Sequence, residues 1–282
     1  MEYITLNNNI KMPLLGYGVF QANDNETYMG VKMALEIGYR LIDTAAMYHN
    51  EVAVGRAIKD SGIPRDEIFV TTKAWISDTG YDNMQYAIAR SLDRLQLDYI
   101  DLLLLHQPFG DIFGAWQAMV EAVNDGRIKS IGVSNFSNGQ LQNLISWHKI
   151  TPAVNQIETN PFIQRESESA YMRSVGVQHE GWAPFAEGKN GIFKNLVLRE
   201  IAQAHGVTIG QVILRWQIQR GIVVIPKSIR RERIAENFDI FNFSLSSDDM
   251  QNIAMLNTGQ SQFFSHDDPE QIARLMSWEV EE

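Results

Sequence analysis

Four residues with different ionisable side chains occur at or near the ends of short apolar segments that we predict to be strands. Asp43, Lys73 and His106 each end or follow one such segment, and Tyr48 lies in the loop after Asp43. In α/β barrels the C-terminal ends of the strands carry the catalytic groups, so we expect these four side chains to converge. Taken alone, each residue could have a purely structural role: Asp43 could cap a helix, Lys73 could be a solvated loop lysine, Tyr48 a rim aromatic and His106 a core histidine. A lysine that leaves a buried strand needs an anionic partner, however, and Asp43 on the neighbouring strand would provide one.

This predicted group suits the reduction of a carbonyl. A phenol beside an ammonium loses its proton more easily, so Lys73 would tune Tyr48 to deliver a proton to a developing alkoxide. A neutral His106 would hydrogen-bond and orient the carbonyl oxygen. Because a hydride must add to the carbon, this chemistry requires a bound hydride donor.

A cationic segment after the last predicted strand is the strongest signal for an anionic cofactor. Pro226–Arg233 carries four positive charges and one negative charge, in a chain with a net charge of −10. A helix that begins near Arg231 would offer free backbone N–H groups to a phosphate, with Lys227, Ser228 and Arg233 as side-chain ligands. Phosphate sites of barrels often lie after the seventh and eighth strands, which agrees with this position.

Side-chain amides, a hydroxyl and an indole end three other predicted strands, and together they would hold a nicotinamide. They are Ser134, Asn135, Gln156 and Trp182. Amide and hydroxyl groups pair with a carboxamide, and an indole offers a flat face for stacking. The segment Gly16–Gln21 has only the first two glycines of a Rossmann fingerprint, so we interpret it as a tight loop at a strand end.

Short apolar segments rich in β-branched residues alternate with longer amphipathic segments, which is typical of βα units and a parallel sheet. The predicted strands are Leu14–Val19, Leu41–Thr44, Ile68–Thr72, Ile100–Leu105, Ser130–Val133, Ala153–Ile157, Val177–Trp182 and Ile222–Ile225. The predicted helices are Glu26–Ile37, Glu51–Asp60, Tyr81–Leu95, Ile112–Asp125, Gly139–His148, Glu166–Arg173, Leu196–His205 and Arg231–Phe238. Eight repeats without a linker predict an α/β fold, a single (β/α)8 TIM barrel domain over residues 1–282, with an open doubly wound sheet as the alternative.

Three further features lie outside this alternation. An N-terminal β-hairpin is predicted from Tyr3–Leu6 and Ile10–Met12, joined by three asparagines that tolerate left-handed backbone angles. Two extra helices are predicted at Ile209–Arg220 and Ser246–Asn257, and a polar tail follows the second of them.

The composition indicates a soluble globular protein and excludes several classes. With 24 basic and 34 acidic residues, the chain has the wrong charge for binding nucleic acid or an anionic membrane as its main task. The absence of cysteine excludes disulfides and thiolate catalysis, and we predict no metal site.

The N-terminus does not resemble a signal peptide and no apolar run is long enough to span a bilayer, so we expect a cytoplasmic protein. Without a coiled-coil pattern, we expect a monomer.

Several motifs, in the same order along the chain, resemble those of the aldo-keto reductase family, particularly its compact bacterial branch that includes 2,5-diketo-D-gluconate reductases. The motifs are Met12–Gly18, Gly38–Ala45, Gly132–Phe136 and Ile225–Ser228. The resemblance implies a catalytic tetrad with Tyr48 as the proton donor, formed by the same Asp43, Tyr48, Lys73 and His106. It also implies that NADPH is the cofactor, in preference to NADH.

The resemblance further implies which residues contact the cofactor. Those expected at the nicotinamide are Ser134, Asn135, Gln156 and Trp182, with Pro184 and Phe185 beside the pyrophosphate. Those expected at the adenosine 2′-phosphate end are Lys227, Ser228, Ile229, Arg230, Arg233, Glu236 and Asn237. Arg230 stands where many members have a small hydroxyl residue, so its phosphate contact is a separate hypothesis.

The substrate pocket is predicted from residues near the strand ends and in the tail. The candidates are Phe20, Met47, Trp75 and Gln107, together with Trp278. Phe20 and Gln107 stand where many family members carry tryptophan, which predicts a less aromatic pocket. The leading hypothesis is the NADPH-dependent reduction of small aldehydes and ketones, such as methylglyoxal or 2,5-diketo-D-gluconate, to alcohols.

Two other functions are open alternatives at this point. A metal-dependent barrel hydrolase would use His49 and His106, although no His-x-His pair ends a strand. A non-catalytic NADPH-binding sensor or regulatory subunit would use the same barrel without turnover, although the intact tetrad favours an enzyme.

Overall fold

The structure is a computed structural model that describes residues 1–280. Its strands are β1 Tyr3–Thr5, β2 Lys11–Pro13, β3 Tyr17–Gly18, β4 Leu41–Asp43, β5 Phe69–Ala74, β6 Ile100–Leu105, β7 Ile128–Ser134, β8 Val154–Glu158, β9 Gln178–Trp182 and β10 Val223–Val224. β3 to β10 pair in parallel with their neighbours along the chain. The sheet closes where the Gly16 N–H donates to Val224 O at 2.8 Å and the Val224 N–H donates to Leu14 O at 2.9 Å. The predicted eight-stranded parallel barrel is therefore confirmed.

Within residues 1–280 the helices surround this barrel. They are α1 Asp24–Ile37, α2 Glu51–Ser61, α3 Tyr81–Leu95, α4 Ile112–Asn124, α5 Asn138–His148, α6 Glu166–Ser174, α7 Leu196–His205, α8 Ile209–Gln219, α9 Arg231–Phe238, α10 Ser247–Ala254 and α11 Pro269–Met276. None of these helices is long and apolar enough to cross a membrane.

The glycines of the first barrel strand have a packing role. Tyr17 and Gly18 form β3, so the loop predicted over Gly16–Gln21 begins later than expected, with its turn at Phe20 and Gln21. A Cβ atom at Gly16 would lie 2.5 Å from Leu41 Cγ, and one at Gly18 would lie 3.1 Å from Ile225 O. Both distances are shorter than ordinary contacts, so only glycine lets this strand approach its neighbours closely enough to close the barrel.

The N-terminal hairpin is confirmed and covers the lower end of the barrel. Tyr3 pairs with Pro13 in an antiparallel register, and Asn9 has the left-handed φ of 67° that the turn requires. The Asn8 amide donates to Lys129 O at 3.1 Å, near the N-terminal end of β7. The hairpin therefore lies at the end of the barrel opposite to the predicted tetrad.

One of the two extra helices differs from the prediction. α8, predicted as an extra helix at Ile209–Arg220, packs against β10 and α9, and its Leu214 and Ile218 belong to the main core. α7, predicted as a barrel helix, packs against α8 and α10, and its Leu198 and Ile201 lie in a second core with Ile253. The extra helices are thus α7 and α10. Both α7 and α8 are amphipathic and follow the same strand, so only their packing distinguishes them.

The tail is not merely polar, because it contains the helix α11. The Asp268 side chain caps this helix, Pro269 occupies its first turn, and Leu275 is buried beside Ala46 and Trp75 at the C-terminal end of the barrel. A capping residue followed by proline is a helix-start signal that the sequence analysis missed. The tail therefore forms part of the rim of the predicted site.

The contact between α2 and α3 provides a test of the packing. A Cβ atom at Gly55 of α2 would lie 2.0 Å from Leu95 O of α3, so Gly55→Ala must push these helices apart. We expect a loss of about 1–3 kcal/mol in the free energy of unfolding, measured by urea titration. The control is Gly139→Ala in α5, where nothing lies within 4 Å. That variant should be unchanged or stabilised by up to about 1 kcal/mol, and an equal loss in both variants would contradict the packing argument.

Candidate active site

The ion pair expected between Lys73 and Asp43 is present inside the barrel. Asp43 is the last residue of β4. Lys73 is the penultimate residue of β5, whereas the sequence predicts it just after the strand. Lys73 Nζ donates to Asp43 Oδ1 at 2.6 Å and to Thr44 O at 2.9 Å, and the Lys73 side chain is fully buried. Burial alone lowers the pKa of the ammonium, but Asp43, together with Tyr48 and Glu180, raises it by more, so the pKa of Lys73 lies above its usual value. Lys73 is therefore charged at neutral pH.

Tyr48 lies beside this pair, in the turn Ala46–Tyr48 that follows β4. Lys73 Nζ is 5.0 Å from the centre of the Tyr48 ring. Burial raises the pKa of the phenol, and the positive charge of Lys73 lowers it by less, so the net direction is upward. Lys73 thus lowers the pKa of Tyr48 as expected. The net direction expected from Lys73 is nevertheless wrong, because burial favours the uncharged phenol and raises the pKa by more. Tyr48 holds its proton at neutral pH, as a proton donor must.

His106 completes the group and is uncharged. Its ring packs edge-on against Tyr48, with 5.7 Å between the ring centres. Burial, followed by the nearby Lys73 charge, lowers the pKa of His106 well below its usual value. Its Nδ1 is buried and has no hydrogen-bond partner among the described residues. A neutral imidazole beside a protonated phenol can orient an oxygen atom without competing for the proton.

The residues predicted to hold a nicotinamide form one connected network. The Gln156 amide donates to Asp43 Oδ2 at 2.9 Å, and the Ser134 hydroxyl donates to Gln156 O at 2.9 Å. The Trp182 indole N–H donates to Asn135 Oδ1 at 2.9 Å. β7, β8 and β9 are therefore linked to the Asp43 carboxylate through side chains, which places the predicted nicotinamide contacts next to the tetrad.

The cationic segment after β10 leads into the helix that the sequence predicts. α9 begins at Arg231, and no side chain caps its first N–H groups. Ile229, Arg230 and Arg233 are exposed. Both carboxylate oxygens of Glu236 accept from Arg233 at 2.7 Å. Unbonded helix N–H groups beside exposed guanidinium groups match the chemistry of a phosphate.

The remaining cofactor candidates lie at the edges of this region. Lys227 Nζ donates to Gln21 O at 3.2 Å, and Ser228 Oγ accepts from the backbone N–H of Arg230 at 3.2 Å. Asn237 and Pro184 are buried. The Phe185 ring packs against Phe193, with 5.5 Å between the ring centres.

The predicted substrate residues surround the tetrad, but they differ in accessibility. The Phe20 ring is 48% exposed and lies 4.9 Å from the Tyr48 ring, and Met47 is half-buried. Trp75 and Gln107 are only 3% and 6% exposed. Phe20 and Met47 are thus the more accessible candidates, and Trp75 and Gln107 support the wall behind them.

The tail adds aromatic groups to the site, namely Trp278, which the sequence predicts there, and Phe264, which it does not. Trp278 stacks on Trp75, with 6.1 Å between ring centres and 17° between ring planes. The Trp75 indole N–H donates to Trp278 O at 2.9 Å. Phe264 and Phe109 flank His266, with ring centres at 4.8 Å and 6.4 Å. Phe264 and His266 follow no strand end, so strand-end reasoning could not find them.

A cavity of about 740 Å³ lies beside the tetrad rather than over it. It is bounded by Asn135, by Arg165 after β8 and by the tail segment that includes Ser261 and His266. Because none of the tetrad residues lines it, this cavity adjoins the site where the reaction would occur and is not that site. In residues 1–280 no group of three or more His, Asp or Glu side chains is arranged to hold a metal ion.

The aldo/keto reductase family model matches residues 14–258 of the chain. The chain belongs to the aldo/keto reductase family. This reductase is 46% identical over 258 residues to the glyoxal reductase of Bacillus subtilis, covering 91% of this chain and 93% of that protein. It is 44% identical over 260 residues to the methylglyoxal reductase DkgA of Escherichia coli K12, covering 91% and 94% of the two chains.

Solved structures of other family members are similar to this aldo/keto reductase over nearly their full length. MGS-M4, an aldo-keto reductase from a deep-sea metagenome library, superposes with a TM-score of 0.92 at 46% identity, covering 94% of this chain and 98% of that one. An aldo-keto reductase of Bombyx mori in complex with NADP superposes with a TM-score of 0.90 at 34% identity, covering 93% and 95%. The family fold therefore extends beyond the residues that the family model matches.

The buried ion pair of this reductase should contribute strongly to stability. Asp43→Asn leaves the Lys73 ammonium buried without a counter-charge, so we expect a loss of about 3–5 kcal/mol in the free energy of unfolding at neutral pH. The control is Glu36→Gln, which removes the exposed pair between Arg231 and Glu36, where both side chains are 53% exposed at 2.7 Å. That loss should stay below about 1 kcal/mol. Similar losses in the two urea titrations would refute the importance of the buried pair.

Proposed function

We propose that this aldo/keto reductase reduces small aldehydes, ketones and dicarbonyls to alcohols with NADPH, and that Asp43, Tyr48, Lys73 and His106 are its catalytic residues. The observation that carries the proposal is the fully buried Lys73–Asp43 pair at 2.6 Å, placed beside a protonated phenol and a neutral imidazole. These groups supply a proton donor and an orienting group at one point in the barrel, which is what carbonyl reduction requires.

The residues of this chain fit NADPH at both ends of the cofactor. Exposed cations at the start of α9 suit the 2′-phosphate, and the half-buried Trp182 indole beside Asn135 suits a flat ring bearing a carboxamide. When bound, NADPH supplies the hydride for the carbonyl carbon. Ile229, Arg230, Glu236 and Asn237 are proposed to shape the 2′-phosphate end, and Pro184 and Phe185 the pyrophosphate region.

The protein groups would act in a fixed order on the carbonyl oxygen. His106, as a neutral imidazole, orients the oxygen toward Tyr48. Tyr48 then transfers its phenolic proton to the oxygen as negative charge develops there, and the Lys73 ammonium stabilises the resulting phenolate. Asp43 keeps Lys73 charged and in place.

The substrate is proposed to be small and polar. Two relatives are named glyoxal reductase and methylglyoxal reductase, and both of the substrates in these names are compact dicarbonyls. Beside the tetrad of this chain, the buried Trp75 ring packs against His106 and is covered by the stacked indole of Trp278, which favours compact substrates. Methylglyoxal and 2,5-diketo-D-gluconate are the first substrates to test, and Phe20 and Met47 are the proposed contacts.

The first test of this function removes the proton donor. Tyr48→Phe should lower kcat for methylglyoxal reduction by about 10²–10⁴-fold, because general acid catalysis contributes about that much. NADPH binding, measured by fluorescence titration, should be nearly unchanged. Tyr86→Phe is the control, since Tyr86 is 58% exposed on α3. Unchanged turnover in Tyr48→Phe would refute the assignment, and tight NADPH binding by the native protein without turnover on any carbonyl would indicate a sensor instead.

A second test concerns the choice of cofactor. Replacing both Lys227 and Arg233 by alanine removes two charge-assisted contacts to a 2′-phosphate, so NADPH should bind at least about tenfold more weakly while NADH binding changes little. The control removes two exposed positive charges elsewhere, at Lys59 and Arg199. It should leave both dissociation constants unchanged. Equal weakening of NADPH and NADH in the first variant would show that these residues do not read the 2′-phosphate.

A further inference from the structure

One carboxyl group inside the barrel takes no part in the hydrogen bonds described above. Glu180 lies in the middle of β9 and is 0% exposed. Neither of its carboxyl oxygens has a hydrogen-bond partner among the described residues. A buried polar group without a partner opposes folding, so its presence at this position requires an explanation.

The backbone of β9 directs Glu180 toward the barrel interior. A Cβ atom on the next residue, Gly181, would lie 2.5 Å from Gln217 Oε1 of α8, so that position faces the outer helices. Because side chains alternate along a strand, Glu180 and Trp182 face inward. In the sheet register Glu180 pairs with Gln156, whose amide donates to Asp43. Glu180 therefore belongs to the same interior layer as the tetrad.

The charges around Glu180 determine its ionisation state. Its charged or titratable neighbours are Asp43, Lys73 and Tyr48, whereas its β8 partner Gln156 is uncharged and its β10 partner is a valine. The one cation, Lys73, is already paired with Asp43 at 2.6 Å. Burial, followed by the Asp43 charge, raises the pKa of Glu180 to about 8, against smaller opposing effects of the neighbouring Gln156 amide and the Lys73 charge. At neutral pH Glu180 is therefore mostly protonated.

We propose that Glu180 is a positioning residue that must stay uncharged for Tyr48 to act as the proton donor, so that its ionisation in alkaline solution slows carbonyl reduction. The proposal rests on the proposed reductase function. With Glu180 neutral, the interior charges of Lys73 and Asp43 cancel. Once Glu180 ionises, its negative charge raises the pKa of Tyr48 further, and the phenol becomes a weaker acid toward the developing alkoxide.

Carbonyl reduction should slow as the pH rises through the pKa of Glu180. Well below pH 8 Glu180 is neutral and reduction proceeds at its full rate, at about pH 8 half of the molecules carry the ionised form, and at higher pH that form predominates. If the ionised form is inactive, kcat/KM for methylglyoxal should fall to about one tenth at one pH unit above this pKa. Glu180→Gln has the shape of the protonated acid but cannot ionise, so it should lack this decrease. At about pH 9 it should be about tenfold faster than the native enzyme, and at about pH 6.5 it should be equally active.

The matched control is Glu51→Gln. Glu51 is also a buried carboxyl, 1% exposed, and burial raises its pKa as well, but its Oε1 accepts from Thr72 on the outer side of β5. This variant should keep the alkaline decrease of the native enzyme. An unchanged decrease in Glu180→Gln, or its loss in both variants, would overturn the proposal.

A measurement on the native protein does not depend on whether Glu180→Gln folds or on turnover. With carbon-13 label in the glutamate carboxyl groups, one buried resonance should titrate near pH 8, and Glu180→Leu should identify it by its absence if that variant folds. If no glutamate resonance titrates between about pH 7 and about pH 9, the proposal is wrong even when the enzyme reduces carbonyls. If the resonance titrates but no carbonyl is reduced, the proposed function fails and the ionisation of Glu180 stands.

Discussion

The site depends on a single buried ion pair, and that pair depends on the closed barrel. A fully buried ammonium such as Lys73 is tolerated only beside a carboxylate, and Asp43 is within 2.6 Å because β4 and β5 are adjacent strands. The second oxygen of Asp43 accepts from Gln156 on β8, across the barrel. The carboxylate therefore joins strands that are distant in the sheet order. Its geometry depends on the closed ring, in which β3 approaches β10 closely, with glycine at position 18 facing the backbone of Ile225.

Electrostatics divide this acidic protein into two functional regions. The tetrad region uses burial, which raises the pKa of Tyr48 and lowers that of His106, so that both groups are uncharged beside one balanced ion pair. At the start of α9, in contrast, the arginines lie at the surface and stay charged. The Glu236 carboxylate accepts from Arg233 and orients it. A net charge of −10 repels anions at long range, so an anionic cofactor must be held by such local contacts. The two regions are linked through β9 and β10, which both contribute to the predicted cofactor site.

The sequence predicted the barrel and the convergence of the tetrad because strand ends can be recognised from apolar segments and adjacent strands follow chain order. It could not separate α7 from α8, since both are capped amphipathic helices and only packing against β10 identifies the barrel helix. It predicted the contribution of Lys73 to the acidity of Tyr48 but not the larger contribution of burial. Glu180 was missed because an acid in a strand can face solvent or the interior, and the register decides which. The monomeric state and the cytoplasmic location stay predictions.

The tail connects the rim of the candidate site to the His106 imidazole through stacked rings. Trp278 stacks on Trp75, and the Trp75 ring in turn packs edge-on against His106 at 5.0 Å between centres. Leu275 of the same tail is buried beside Ala46 and Trp75, so the tail covers this side of the barrel mouth. Displacing the tail would expose Trp75 and admit water to the side of His106. Since water weakens the interactions of buried charges, the closed tail supports the proton donor as well as shaping the pocket.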